Sequence, residues 1–268
     1  MEALKPKEDV KSVQSSFDNS KCHILAKGEN PIAEGIIKKI LNKAGYDAEP
    51  KIYVYSGAKQ INATGAKRVC LEFKLTDRCL ELAGKDDAFE GIIGHETFHI
   101  KADHVMKIAY ILCARATAVI FAAGSSVCSF IGGKAAQGIA DAVFALGAYL
   151  VFNAAINIYR RAGELRADRF SVRINGSAVP IKKSLTGENA MLDFARTYDM
   201  KKTGFVERLI ITAVYDTPEY GLTPKNLAEK VLMNALHFLM NNHPKYSHRL
   251  AAVENEEKKL AQSGTIII

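Results

Sequence analysis

Two histidines with a glutamate directly after the first lie in the stretch "GIIGHETFHIKADH", residues 91–104. His95, Glu96 and His99 form the spacing H-E-x-x-H. On a helix, this spacing puts both imidazoles one turn apart, so that they can bind one Zn²⁺ while the glutamate faces a metal-bound water. The corresponding chemistry is hydrolysis, with the glutamate as general base. The motif also arises by chance, so a third metal ligand is needed to support it.

The helix that must position this motif is predicted from its cap and its apolar spacing. Asp87 and Glu90 resemble a capping box, which starts the helix near Asp87. The apolar residues that recur at helical spacing are Phe89, Ile92, Ile93 and Ile100. The three ionisable side chains of the motif continue that apolar face. Because burial without partners costs several kcal/mol, we expect a divalent metal to satisfy them.

A later stretch, "RRAGELRADRFSV" at residues 160–172, offers the third ligand. Glu164 and Asp168 are four residues apart and share one helical face. Glu164 could therefore bind the metal while Asp168 hydrogen-bonds a ligand histidine from outside the coordination sphere. The alternative is a solvated helix whose charges come from its arginines. A different class, the metzincins, is not indicated, because His104 is one residue out of place for its third histidine.

The chain resembles the gluzincin metallopeptidases that include HtpX, the CAAX prenyl protease and their soluble bacterial relatives. That family shows H-E-x-x-H, then E-x-x-x-D after a long helical insert, then His-Pro and an arginine five residues beyond the proline. The chain has "HETFH", then Glu164 to Asp168, then "HPKYSHR" with His243 and Arg249. The likeness spans about residues 30–255. It implies one Zn²⁺ per chain.

The resemblance also implies roles for residues outside the zinc motif. His243 would stabilise the oxyanion, and Arg249 would anchor its loop or pair with a carboxylate. His243 and the proline after it could instead simply end a helix. The stretch "INATGAKRVCLEF" is similar to the family's Asn-Ala segment, in shortened form, and implies that substrate binds at Asn62, Ala63 and Thr64.

A strand is predicted at "RVCLEFKL", where Val69, Leu71, Phe73 and Leu75 alternate with more polar residues. If this is an edge strand beside the zinc helix, an extended peptide could add to it by backbone hydrogen bonding. The alternative is an ordinary strand within the sheet. A helix is expected from Asn30-Pro31 to about Asn42, and a further strand at "KIYVY".

Composition fits one catalytic domain, since 48% of the 268 residues are hydrophobic and 24% are charged. We expect a mainly helical α+β fold with a small antiparallel sheet over residues 21–260, between a loose tail at 1–20 and a short tail at 261–268. The net charge of +7 is spread along the chain, which argues against nucleic-acid binding. Five cysteines without C-x-x-C spacing and an N-terminus without an apolar signal segment favour an intracellular protein, cytoplasmic or membrane-associated.

An insert at residues 108–158 contains two apolar stretches, 116–133 and 142–158, joined by a turn near Gly132-Gly133-Lys134. Each is about 26 Å long as a helix, against about 30 Å for the hydrocarbon core of a bilayer. Their small and polar residues suit two soluble helices packed closely over the active site, which is the interpretation we favour. A hairpin at the membrane remains the alternative.

Together these patterns predict a zinc-dependent metalloendopeptidase that hydrolyses extended or misfolded polypeptides through a Zn-activated water. One alternative is a chaperone-like or quality-control binding protein of the same fold with weak catalysis. Another is a structural helical membrane protein with an accidental H-E-x-x-H. Glu96 argues against the first, and Glu164 with the His243 to Arg249 stretch argues against the second. The oligomeric state is left open.

Overall fold

The structure is a computed structural model that describes residues 21–57, 63–67, 70–190, 227–228, 231, 244 and 246–263. It divides into two compact units. The first contains the described residues of Met1–Ala102, Arg166–Met191 and Leu250–Ile268, and the second contains those of Asp103–Leu165 and Leu192–Arg249. The predicted tail at 1–20 lies outside the described residues.

The first unit contains a sheet of four strands in the order β1-β2-β4-β3. The strands are β1 (Lys21–Ile24), β2 (Lys51–Ser56), β3 (Ala63–Lys67) and β4 (Leu71–Thr76). The described helices of the whole chain are α1 (Pro31–Lys43), α2 (Asp77–Leu80), α3 (Ala88–Ala102), α4 (His104–Ile131), α5 (Ala135–Asn175), α6 (Val179–Ala190) and α7 (Tyr246–Ser263). The fold is therefore the predicted mainly helical α+β class. Helix α7 continues to Ser263, past the start of the predicted C-terminal tail.

The sheet is mixed, so the prediction of an antiparallel sheet is wrong. Strands β1 and β2 pair antiparallel, as do β3 and β4, but β2 and β4 run parallel. The chain reverses its direction between β2 and β3 and again between β3 and β4. Because the second strand of the β3–β4 hairpin lies next to β2, the two reversals leave β4 parallel to β2.

Of the two interpretations of the strand at "RVCLEFKL", the structure supports the ordinary strand within the sheet and not the edge strand. The alternation in "RVCLEFKL" is confirmed where β4 covers it, since Leu71, Phe73 and Leu75 are buried. However, β4 pairs on both sides, and the two edges of the described sheet are β1 and, next to β4, β3. Alternation marks a buried face of a strand but carries no information about its neighbours. The edge strand, "ATGAK", has no such alternation to reveal it.

Helix α1 packs on the sheet and follows the sequence signals closely. Pro31 occupies its first turn, and the side chain of Asn30 accepts a hydrogen bond from the Ala33 N–H at 3.0 Å, which caps the helix. Its buried residues join the core formed with β2, β4 and α3. The largest fully buried side chains of this core are Phe73, Phe89, Ile37, Ile40, Leu41, Leu75, Ile93 and Ile100.

Helix α3, which carries the H-E-x-x-H motif, begins at Ala88, one residue after its predicted start. Of the predicted apolar face, Phe89, Ile93 and Ile100 are fully buried, and Ile92 is half-buried against the core. The helix ends at Ala102, and Asp103 follows in a left-handed conformation with a φ of 50°. His104 therefore begins α4 and does not continue α3.

The second unit contains a hairpin of α4 and the first part of α5, joined at the predicted turn. Helix α4 ends at Ile131 with Gly132 as its C-cap, and Gly133 has a φ of 72°, a conformation that glycine adopts readily. The helices have 28 and 41 residues, far more than the apolar stretches that predicted them. No proline separates the second apolar stretch from residues 160–172, so α5 continues through both.

Polar contacts hold the two helices of the hairpin together. Arg115 donates to the Asn153 side chain at 2.8 Å, and Ser126 Oγ donates to the Gly138 carbonyl at 2.7 Å. Large apolar side chains instead face outwards: Ile120, Phe121, Val127, Ile139, Val143, Phe144, Leu146 and Val151 are exposed. By length and composition, two helical segments are apolar enough to cross a membrane: Lys107–Ile131 and Ala135–Asn175. The mean hydropathy of the most apolar part is 1.7 in the first and 1.8 in the second, and 11% of that part is buried in each.

Candidate metal centre

His95 and His99 lie one turn apart on α3, and the same nitrogen of each ring points towards the other. The two Nε2 atoms are 3.1 Å apart. Two nitrogens on one tetrahedral Zn²⁺, with bonds of about 2.0–2.1 Å, would lie about 3.3 Å apart. His95 is buried and His99 is half-buried. The pair therefore has the spacing of two ligands of a single ion.

Glu164 on α5 completes a group that could hold a metal. The ligand atoms of His95, His99 and Glu164 all lie within 4.8 Å of one another. Two imidazoles and one carboxylate are a donor set that catalytic zinc sites use, with the fourth position left for water or substrate. The two helices thus bring together the three residues that the sequence predicted as ligands.

Asp168 lies one turn beyond Glu164 on α5 and contacts the other nitrogen of His95. Its Oδ1 is 2.8 Å from His95 Nδ1, and the carboxylate is completely buried. A carboxylate in this position accepts the Nδ1 proton, which keeps the Nε2 lone pair available for a metal and fixes the ring orientation. The donor chemistry of the site therefore fits zinc.

Glycine and serine residues allow α3 and α5 to approach closely. A side chain on Gly94 would meet Ser171 Oγ at 2.9 Å and the Asn175 side chain at 3.1 Å. Ser171 donates to the carbonyl of Gly91 at 2.8 Å, and Asn175 donates to the carbonyl of Glu90 at 3.2 Å. These bonds fix how the two helices sit against each other, which is a condition for placing Asp168 on His95.

Glu96 follows His95 on α3 and is half-buried. Its Oε2 accepts a hydrogen bond of 2.7 Å from the backbone N–H of Gly65 in the edge strand β3. Sequence reasoning missed Gly65. The available signal was a glycine within a predicted extended segment, a position where glycine weakens a strand and often marks a close backbone approach.

Cys79 on α2 is a buried thiol whose ionisation Glu96 also opposes. Burial raises the pKa of Cys79 to about 12, and the negative charge of Glu96 adds to the effect. At neutral pH the thiol is therefore protonated and a poor metal ligand, because metals bind the thiolate.

Arg249 lies near the start of α7 and is buried beside Glu164. Its Nη2 is 4.0 Å from Glu164 Oε2. A buried guanidinium at this distance can help to hold the carboxylate in place. The rest of α7 forms two further ion pairs. Glu256 pairs with Arg173 of α5 at 2.6 Å, and Glu257 pairs with Lys182 of α6 at 2.9 Å.

The remaining predicted site residues divide between described and undescribed parts of the chain. Ala63 and Thr64 lie on β3, with the Thr64 side chain exposed. Asn62 and His243 lie outside the described residues. Of the "HP" pair, only Pro244 is described, and it is buried.

Comparison with protein families matches the chain to the model described as peptidase family M48, over residues 29–257. This range contains the H-E-x-x-H motif, Glu164, Asp168 and Arg249, and it agrees with the extent expected from the sequence. No curated protein matches the chain.

Proposed function

Since the chain belongs to peptidase family M48, whose members include the HtpX and CAAX prenyl protease types, we propose that it is a zinc-dependent metalloendopeptidase. The resemblance predicted from the motifs is thereby confirmed, and with it a metallopeptidase activity. The observation that supports a zinc-dependent mechanism is that the ligand atoms of His95, His99 and Glu164 lie within 4.8 Å of one another. We propose that one Zn²⁺ per chain binds there.

Each residue of the site has a role in amide hydrolysis. His95, His99 and Glu164 would hold the metal, which would supply Lewis-acid chemistry for the scissile carbonyl and for water. Glu96 accepts the proton of the attacking water and passes it to the leaving amine. Asp168 keeps the proton of His95 on Nδ1, where it does not compete with the metal.

His243 and Arg249 receive their roles from the family resemblance. We propose that His243 donates to the oxyanion that develops on the scissile carbonyl, as hydrolysis requires. Arg249 orients the Glu164 carboxylate, a role that its burial and its distance of 4.0 Å from Oε2 support.

The substrate is an extended polypeptide segment that adds to the edge strand. Strand β3 ends the described sheet and pairs with β4 on one side. A peptide that adds to its open edge at Asn62, Ala63 and Thr64 is recognised by its backbone, which favours unfolded or misfolded proteins over folded ones. We propose no nucleic-acid partner, because the charge of +7 is distributed along the chain.

We propose that the hairpin of α4 and α5 associates this peptidase with a membrane, and that the protein is intracellular. Its apolar side chains lie exposed, with only 11% of each apolar window buried, whereas helices packed in a soluble core bury such faces. The lengths of α4 and α5 exceed the thickness of a hydrocarbon core, at about 42 and 62 Å. Exposure and length thus favour the membrane alternative over two packed soluble helices.

The deciding experiment measures cleavage of an unfolded protein such as casein by the full chain in detergent micelles, together with its zinc content. We expect wild-type protein to cleave, a chelator to stop cleavage, and added Zn²⁺ to restore it. Glu96→Gln should keep zinc and lose cleavage, because it removes the proton acceptor but no metal ligand. Glu90→Gln is the matched control on the same helix and should behave as wild type.

Full activity in Glu96→Gln would remove the glutamate from its role as base. Zinc binding without cleavage in the wild type, combined with suppressed aggregation of the unfolded substrate, would instead indicate the chaperone-like alternative.

A further inference from the structure

We propose that Gly65 is a positioning residue for the general base, holding the Glu96 carboxylate through its backbone N–H. The inference rests on the proposed function in one respect, the role of Glu96. The bond itself is a feature of the fold and can be tested without activity. Its length is 2.7 Å, from Gly65 N to Glu96 Oε2. A hydrogen bond to an ionised carboxylate is stronger than one between neutral groups, so it can select one orientation of the side chain.

The missing side chain at position 65 is what allows this contact. A Cβ there would lie 2.6 Å from the backbone carbonyl oxygen of Glu96 and 3.0 Å from Ile100 Cγ1. The residues of positive φ do not include Gly65, so its backbone conformation does not require glycine. The close approach of β3 to α3 does. Any larger residue must push the strand away from the helix and lengthen the bond to Glu96.

The N–H of Gly65 faces the open side of β3. Gly65 lies opposite Phe73 in the antiparallel β3–β4 pair, and residues of such a pair alternate between those that bond across and those that point outward. Because the N–H of Gly65 donates to Glu96, the backbone of Gly65 points away from β4. The backbones of Ala63 and Lys67, two residues away on either side, point the same way. The base and an added peptide therefore meet on the same edge of the strand.

This geometry restricts how a substrate strand can pair. The outward N–H of Gly65 is already engaged by Glu96, so among the proposed substrate-binding residues the backbone pairing falls on Ala63, and it continues along β3 at Lys67. Thr64, whose backbone faces β4, contributes its exposed side chain. The edge strand thus performs two tasks: it aligns the peptide, and at Gly65 it fixes the group that moves the proton.

The primary test is spectroscopic and uses zinc-loaded full-length protein labelled with ¹⁵N at glycine. We expect the assigned Gly65 amide proton to move upfield by several tenths of a ppm in Glu96→Gln, because the acceptor loses its charge. Glu90→Gln, with the same chemical change on the same helix, should leave it in place. An unchanged Gly65 shift in Glu96→Gln would overturn the proposal, whether or not the protein proves to be a peptidase.

A kinetic test then examines the consequence for catalysis. Gly65→Ala should lower kcat by about 10- to 100-fold while KM changes less than about twofold and zinc content stays at the wild-type value, because displacement of a catalytic group by about 1 Å has an effect of this size. Ala66→Gly, which alters the neighbouring residue of β3, should leave kcat within about twofold. A wild-type kcat in Gly65→Ala, or equal losses in both variants, would contradict the positioning role.

Discussion

Removal of the Asp168 carboxylate is expected to weaken zinc binding by about 10- to 100-fold while the protein remains folded. Asp168 is completely buried, and its Oδ1 is 2.8 Å from His95 Nδ1. Without this acceptor the ring can rotate, and the proton is no longer fixed on Nδ1. Zinc binding must then select the His95 tautomer and ring orientation that the wild type already has, and this selection weakens the observed affinity.

Two substitutions of Asp168 should lower the zinc affinity by different amounts. Asp168→Asn keeps the shape, and its carbonyl can still accept a neutral hydrogen bond, so we expect a loss near tenfold, about 1.4 kcal/mol. Asp168→Ala leaves the buried Nδ1–H without an acceptor. Since an unsatisfied buried polar group costs about 1–3 kcal/mol, this variant should approach the hundredfold limit, about 2.8 kcal/mol.

The assay is competition for Zn²⁺ against a chromophoric chelator, with the thermal midpoint of the apo and zinc forms recorded in parallel. Ser171→Ala is the matched control, because it removes the 2.8 Å bond to the Gly91 carbonyl between the same two helices but touches no ligand. It should lower the thermal midpoint and keep the zinc affinity. A Kd of Asp168→Ala within about twofold of the wild type would refute the reasoning, as would an equal loss of affinity in Ser171→Ala.

Three further results are expected. Glu164→Ala should lower the zinc content of purified protein, because it removes a ligand, and normal stoichiometry would point to another third ligand. Phe121→Asp combined with Phe144→Asp should move the protein from the membrane to the soluble fraction without lowering its thermal midpoint, because the two side chains are 76% and 71% exposed. Unchanged partitioning would contradict a membrane role. The Cys79 thiol, with a pKa raised to about 12, should resist alkylation of the native protein at about pH 8, where its thiolate fraction is ~10⁻⁴, while exposed Cys22 reacts; equal rates would show that Cys79 is not buried.

The parts of the site that sequence could predict are those set by the helical period. His95 and His99, and likewise Glu164 and Asp168, are four residues apart, and one turn of helix places each pair on one face whatever surrounds it. The cap at Asn30 and the turn at Gly133 are equally local. Each depends on residues within a few positions of one another, so the chain needs no tertiary information to specify them.

Helix lengths and strand order were less accessible because they depend on distant residues. Hydropathy marked only the apolar part of α5, because the part of the helix that follows it is rich in charged residues. Strand β4 shows the expected burial, but its place between β2 and β3 depends on how the β3–β4 hairpin docks. Neither feature has a signature within the segment itself.

The contact between Gly65 and Glu96 joins residues 31 positions apart, and its donor is a backbone N–H that every residue except proline possesses. No side-chain type could therefore have revealed it. What the sequence does contain is a glycine where glycine is unfavourable. Gly91 and Gly94 in α3 are similar: each costs about 1 kcal/mol relative to alanine within a helix. Gly91 lies against the Pro180 backbone and Gly94 against Ser171. None of the three has a positive φ, so close approach accounts for all of them. A glycine inside a regular element with ordinary backbone angles thus marks where another element must come near, and in this chain those places surround the helix that carries the base.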